Sequence, residues 1–165
     1  MNKLSKRINN LSESATLAMS RLSRELKQKG KDVISLSLGE PDFNTPDFIK
    51  NSAVKAINDN FSHYTPVPGI PELRKSICKK FYRDNNLEFN ENQIVVSTGA
   101  KQSIANVCLS LLDKGDEVIL LAPYWVSYFE IVKLCGAKPI VVESKIENNF
   151  KSSVEEIEKK ISNKT

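Results

Sequence analysis

The chain has 165 residues, 40% of them hydrophobic and 27% charged, with a formal net charge of +4 at pH 7. That balance describes a globular chain with a core of its own and one domain as the default count, and it excludes a disordered or fibrous chain. The basic residues are interleaved with acids, and Arg21, Arg24, Lys27, Lys29 and Lys31 read as a solvated helix face, so no nucleic-acid partner is expected.

In chain order, Ser14 to Lys29 predicts a helix with Leu17, Leu22 and Leu26 on one side, ended by Gly30. Val33 to Leu38 alternates apolar residues with serine and predicts a short strand running into the turn Gly39-Glu40-Pro41-Asp42. Thr45-Pro46-Asp47 opens a helix, with Thr45 as N-cap, proline at its first position and an acid in its first turn. Phe61 to Pro71 is a loop stiffened by Pro66 and Pro68, and it can hold Tyr64 outward. A helix follows from Pro71 to about Asp84, then a polar connection from Asn85 to Gln93.

Ile94-Val95-Val96 predicts a buried strand that stops at Thr98-Gly99 and passes at once into a helix with Ile104, Val107, Cys108, Leu111 and Leu112 on its apolar face. Glu117 to Ala122 predicts a second buried strand, Val126 to Cys135 a helix capped by Gly136, and Ala137 to Val142 a third strand. Ser153-x-x-Glu156 is a capping box that starts a last helix. Alternation of strand and helix predicts parallel pairing with right-handed crossovers.

Cys78, Cys108 and Cys135 are far apart and lack Cys-x-x-Cys spacing, which predicts small buried hydrophobes in a reducing compartment. With His63 the only histidine, no histidine-based metal site is expected. No apolar run is long enough to span a bilayer, and Met1 to Arg7 is not followed by the apolar core of a secretory signal. A cytoplasmic protein without a membrane partner is the expectation.

The chemistry concentrates at the carboxyl ends of the predicted strands, where ligands bind in parallel sheets. Gly99, Ala100 and Lys101 form a strand-to-helix turn whose free N–H groups and helix dipole suit a phosphate, although a glycine in such a turn also serves the bend alone. Tyr124-Trp125 directly follows the next strand. Trp125 is either an ordinary core aromatic or a ring on which a flat, phosphorylated cofactor stacks.

Several ordered stretches carry a family resemblance. They are Ser37-Leu38-Gly39-Glu40-Pro41-Asp42-Phe43 with Thr45-Pro46, Tyr64-Thr65-Pro66 with Gly69-Ile70-Pro71-Glu72-Leu73-Arg74, Thr98-Gly99-Ala100-Lys101-Gln102, Gly115-Asp116-Glu117-Val118, and Ala122-Pro123-Tyr124-Trp125-Val126-Ser127-Tyr128. Together the chain resembles the class I/II pyridoxal-phosphate-dependent aminotransferases of fold type I, most closely the bacterial aspartate aminotransferase branch. The resemblance implies an incomplete α/β fold, with an N-terminal arm and small-domain segment over residues 1–45 and the first part of a mainly parallel large-domain sheet over residues 46–165.

It also implies roles. Gly99, Ala100 and Lys101 match the turn that holds the cofactor phosphate, and Trp125 matches the aromatic stacked on the pyridine ring. Tyr64 matches a tyrosine that reaches the partner subunit's cofactor, which implies a homodimer. Gly39 matches a glycine lying against the substrate carboxylate, and Thr16 belongs to a segment that closes over the substrate. Relatives that also accept prephenate carry a lysine where Ser12 stands, so a preference for aspartate, glutamate and their 2-oxo acids is expected, with weak prephenate activity. The lysine that binds the cofactor covalently, the acid that pairs with its ring nitrogen and the arginine that grips the substrate are implied to lie beyond Thr165. No catalytic residue is therefore assigned within the chain. Two other readings are a related lyase or synthase of the same fold and a non-catalytic binding or dimerisation module.

Overall fold

The computed structural model describes residues 4–165. Its elements in chain order are α1 (Lys6–Asn9), α2 (Ala15–Gln28), α3 (Asp47–Asn58), α4 (Pro71–Asn85), a 3-10 turn (Glu91–Gln93), α5 (Ala100–Leu111), β1 (Glu117–Leu121), α6 (Ser127–Leu134), β2 (Lys138–Val142), a second 3-10 turn (Ile146–Asn148) and α7 (Val154–Glu158). The chain divides into two compact units. One joins the residues up to Leu38 with Gly99–Thr165, and the other is Gly39–Thr98.

The first unit is built on a parallel pair, β1 against β2, in a register that sets Glu117 opposite Lys138 and Leu121 opposite Val142. Both strands are rich in β-branched and aliphatic residues, and the crossover between them is α6. Lys138 donates its N–H to the Asp116 carbonyl at 2.8 Å, so by the alternation of a strand the donor missing at Pro139 lies on the edge away from β1. Helix α6 packs on both strands and on α5. Val132 of α6 and Val142 of β2 are each 2% exposed, and Ala137 and Leu120 are buried with them. Burying one such valine stabilises the unit by about 1.5–3 kcal/mol.

Caps fix where the helices begin. The Ser14 hydroxyl accepts the Leu17 N–H and opens α2. At α7, Ser153 and Glu156 exchange backbone N–H bonds in the capping box expected from the sequence. The end of the chain is tied to β1, because the Glu117 N–H donates to the Lys164 carbonyl at 2.8 Å and the Ser162 hydroxyl donates to Glu117 Oε2 at 2.7 Å. Lys138 Nζ stands 3.3 Å from Glu117 Oε1. The Ser162 hydrogen bond, followed by that of Lys138, holds the Glu117 carboxyl below its ordinary pKa.

In the second unit, Arg74 of α4 donates to the Glu91 carbonyl at 3.0 Å, and the Val96 N–H donates to the Pro68 carbonyl at 3.0 Å. Ile94 is its buried hydrophobic residue.

Several expectations need correction. Ile94-Val95-Val96 is extended but forms no strand, and Val95 is 67% exposed. Val33 to Leu38 likewise forms no strand, with Ile34 and Leu36 at 85% and 89% exposure. A strand is defined by its ladder, and the sheet among the described residues holds β1 and β2 alone, not the expected three strands. The N-cap of α3 is Pro46 rather than Thr45, with no side-chain capping bond. The cysteines are free but half-buried rather than buried, and burial raises the Cys135 thiol pKa above its ordinary value. Among the described residues no helix is long and apolar enough to cross a membrane, and no group of His, Cys, Asp and Glu could hold a metal ion.

Candidate functional site

The first unit brings two of the predicted stretches together. Gly99 has φ +87°, a torsion that glycine adopts without the steric cost of a side chain, and an ideal Cβ built there meets nothing within 4 Å. The glycine thus serves the backbone turn, and the space beside it is open. Helix α5 starts at the next residue with no side-chain cap among the described residues. The N–H groups of Gln102 and Ser103 return to the Gly99 carbonyl at 3.1 and 3.3 Å. Those of Ala100 and Lys101 stand by position at the positive end of the helix dipole, without an intrahelical acceptor.

Lys101 reaches across to the turn after β1. Its Nζ lies 5.9 Å from the centroid of the Trp125 ring, within range of a cation–π contact. Trp125 remains 42% exposed, so it is not sealed in the core. Its carbonyl accepts the Tyr128 N–H at 3.0 Å and so fixes the ring's backbone to the start of α6. Ahead of it the Ala122–Pro123 peptide is cis, and the Ser144 hydroxyl donates to the Ala122 carbonyl.

Beside these residues lies a cavity of about 710 Å³, lined by Leu11 to Ala15, Lys101, Gln102, Tyr124 and one side of α6. Its wall is largely apolar, with Phe129, Ile131 and Leu134, and carries Glu13, Lys101 and Glu130 as charges. The Glu130 carboxylate accepts the Ser12 N–H at 3.2 Å and pairs with Lys133 at 3.2 Å. This acid pins the segment ahead of α2 to α6. Its own residue type was visible in the sequence, but its partner lies 118 positions away and no local pattern links the two. Thr16 sits half-buried in the first turn of α2, next to the lining residues Ser14 and Ala15.

Gly39 and Tyr64 fall in the second unit. Tyr64 is fully exposed. At Gly39 an ideal Cβ meets nothing within 4 Å and φ is not positive, so nothing within the chain itself demands a glycine there.

Comparison with known proteins identifies the family. The model of the family described as aminotransferase class I and II matches residues 31–165. The chain is 50% identical over 165 residues to a probable aspartate/prephenate aminotransferase of Rickettsia felis, covering all of this chain and 40% of that protein. It is 49% identical over 163 residues to the aspartate aminotransferase of Bacillus subtilis, covering 99% of this chain and 42% of the relative. The aspartate aminotransferase of Thermus thermophilus with maleate superposes with a TM-score of 0.94 at 39% identity, over all of this chain and 43% of that one. The enzyme from Rhizobium meliloti gives 0.94 at 38% identity, over 99% and 41%. The chain therefore spans about 40% of the length of the curated relatives it matches. Its fold is that of part of a fold type I aspartate aminotransferase, and the chain belongs to the class I and II aminotransferase family.

Proposed function

We propose that this chain is the cofactor-side portion of a homodimeric, cytoplasmic aminotransferase that uses pyridoxal 5'-phosphate and moves an amino group between aspartate or glutamate and a 2-oxo acid. The observation that carries the reading is Lys101 standing over Trp125 at the uncapped start of α5. A phosphate needs N–H donors and positive charge, and a pyridine ring needs an aromatic face. Both are present within one unit, beside open space at Gly99.

The Ala100 and Lys101 N–H groups and the Lys101 ammonium would hold the phosphate, and Trp125 would offer its face to the ring and exclude water there. Pyridoxal phosphate, when bound, supplies an electron sink for bonds at the substrate α-carbon. Gly39 leaves room for the substrate carboxylate, Thr16 contributes to the segment that closes over the substrate, and Tyr64 reaches the phosphate in the partner's site. Curated relatives named for aspartate, and a neighbour with the dicarboxylate maleate, support an acidic substrate.

The test is amino transfer by the full-length protein from aspartate to 2-oxoglutarate in the presence of pyridoxal phosphate. Stoichiometric glutamate and oxaloacetate are expected. Ammonia release or decarboxylation in their place assigns the protein to a lyase of the same fold, and no reaction with any amino acid leaves a binding module.

A further inference from the structure

Tyr64 is held by its loop, and the structure shows what holds the loop. Gly69 has φ +102°, and an ideal Cβ built on it falls 2.6 Å from Val96 Cγ2 and 2.9 Å from Val96 Cβ. No side chain fits between them without displacing a branched carbon close to the backbone. The Val96 N–H donates to the Pro68 carbonyl at 3.0 Å, and the Gly69 N–H closes a turn onto the Pro66 carbonyl at 2.9 Å. The guanidinium of Arg74 adds a second tie, to the Glu91 carbonyl, on the connection that leads into the same extended segment. Pro66 and Pro68 fix their own φ and restrict the residue before each, so a displacement at Gly69 is carried back to Thr65 and Tyr64 rather than absorbed.

We infer that the notch between Gly69 and Val96 is the positioning device for Tyr64, and that it acts on the partner subunit's cofactor site. The inference rests on the proposed aminotransferase reading and deepens it. Tyr64 makes no packing contact that would set its direction, since it is fully exposed. Its placement is therefore inherited from the backbone, and the backbone is located where Gly69 meets Val96. Gly69 and Val96 are given no contact with cofactor or substrate in this reading, and act through Tyr64. They are positioning residues.

The test uses the full-length protein as mixed dimers with two different tags, and reads the two pyridoxal phosphate dissociation constants by absorbance titration. One subunit carries Trp125→Ala, which weakens its own site, and the other carries Gly69→Ala. Action on the partner's site puts both lesions on one cofactor. One site then stays at the wild-type constant and the other is weakened further, by about tenfold beyond Trp125→Ala alone, the scale of a lost hydrogen bond to a charged group. Two sites, each weakened once, would overturn the inference.

Rescue separates positioning from general damage. Gly69→Ala with Val96→Gly in the same subunit removes both Val96 atoms that the new Cβ meets within 3 Å, Cγ2 and Cβ, and it restores affinity to within about threefold of wild type, a residue of the φ strain. Failure of Val96→Gly to restore it overturns the notch. Tyr64→Phe replacing Gly69→Ala in the same pairing is the control on the underlying reading. If it leaves the Trp125→Ala site no weaker than before, the role of Tyr64 fails, independently of what holds its loop.

Discussion

Lys101, in the first turn of α5, and Trp125, beyond the end of β1, meet with the ammonium 5.9 Å from the ring centroid. The contact joins a charge suited to a phosphate to a face suited to an aromatic ring. In the full-length protein, Trp125→Ala is expected to weaken pyridoxal phosphate binding by about fivefold or more, corresponding to about 1 kcal/mol for an aromatic pair. An unchanged dissociation constant would return Trp125 to an ordinary packing role.

Glu117 makes stability depend on pH. Its carboxyl is held below the ordinary carboxylate range first by the Ser162 hydroxyl and then by Lys138. A depressed folded-state pKa means that the unfolded chain binds the proton more readily. The stabilisation is therefore complete above the ordinary glutamate value of about 4.3 and is lost as pH falls through the lower folded value. Ser162→Ala is expected to shrink this acid-side loss of stability. Denaturant midpoints from pH 7 down to the acid limb check it, and parallel curves for the two proteins would contradict it.

Ser12 bears on substrate range. It lines the cavity with Lys101 and is held through its N–H by Glu130. A serine offers a hydrogen bond without charge, and charge-assisted bonds are roughly twice as strong. The full-length protein is expected to favour oxaloacetate over prephenate, and Ser12→Lys is expected to raise the prephenate to oxaloacetate ratio of kcat/KM. A wild-type ratio near one, or no change on substitution, would place the selecting charge on Lys101 or elsewhere.

The 165-residue chain by itself is expected neither to transaminate nor to stay monodisperse. Ile34, Leu36 and Leu111 are 85%, 89% and 75% exposed, and β1 and β2 each present an edge with no ladder among the described residues. Binding of an apolar-surface dye and self-association on a sizing column should follow. A sharp thermal transition from a monomer, or amino transfer above that of free pyridoxal phosphate, would contradict this.

The sequence shows helices more clearly than strands, for a physical reason. A helix satisfies its own backbone, so Ser14 and the Ser153–Glu156 box mark α2 and α7 from local chemistry alone. A strand needs a neighbour. The runs at 33–38 and 94–96 have strand-like composition but no ladder, whereas Val118 to Leu121 found Pro139 to Val142. At the candidate site, Gly99 and Trp125 were legible because each follows a strand-like run. The tie from Glu130 to Ser12 and the fit of Gly69 against Val96 were not, since each depends on residues distant in sequence.

The central claim is that the turn at Gly99 to Lys101 holds the cofactor's phosphate. Comparing the affinities of the full-length protein for pyridoxal 5'-phosphate and for pyridoxal, in wild type and in Gly99→Ala, tests it directly. A Cβ at Gly99 meets the positive φ and fills the open space beside the first N–H groups of α5. Wild type is expected to prefer the phosphorylated form by about a hundredfold or more, on the scale of two charge-assisted hydrogen bonds, and Gly99→Ala to lose most of that preference. A preference that survives the substitution unchanged would place the phosphate elsewhere and contradict the account.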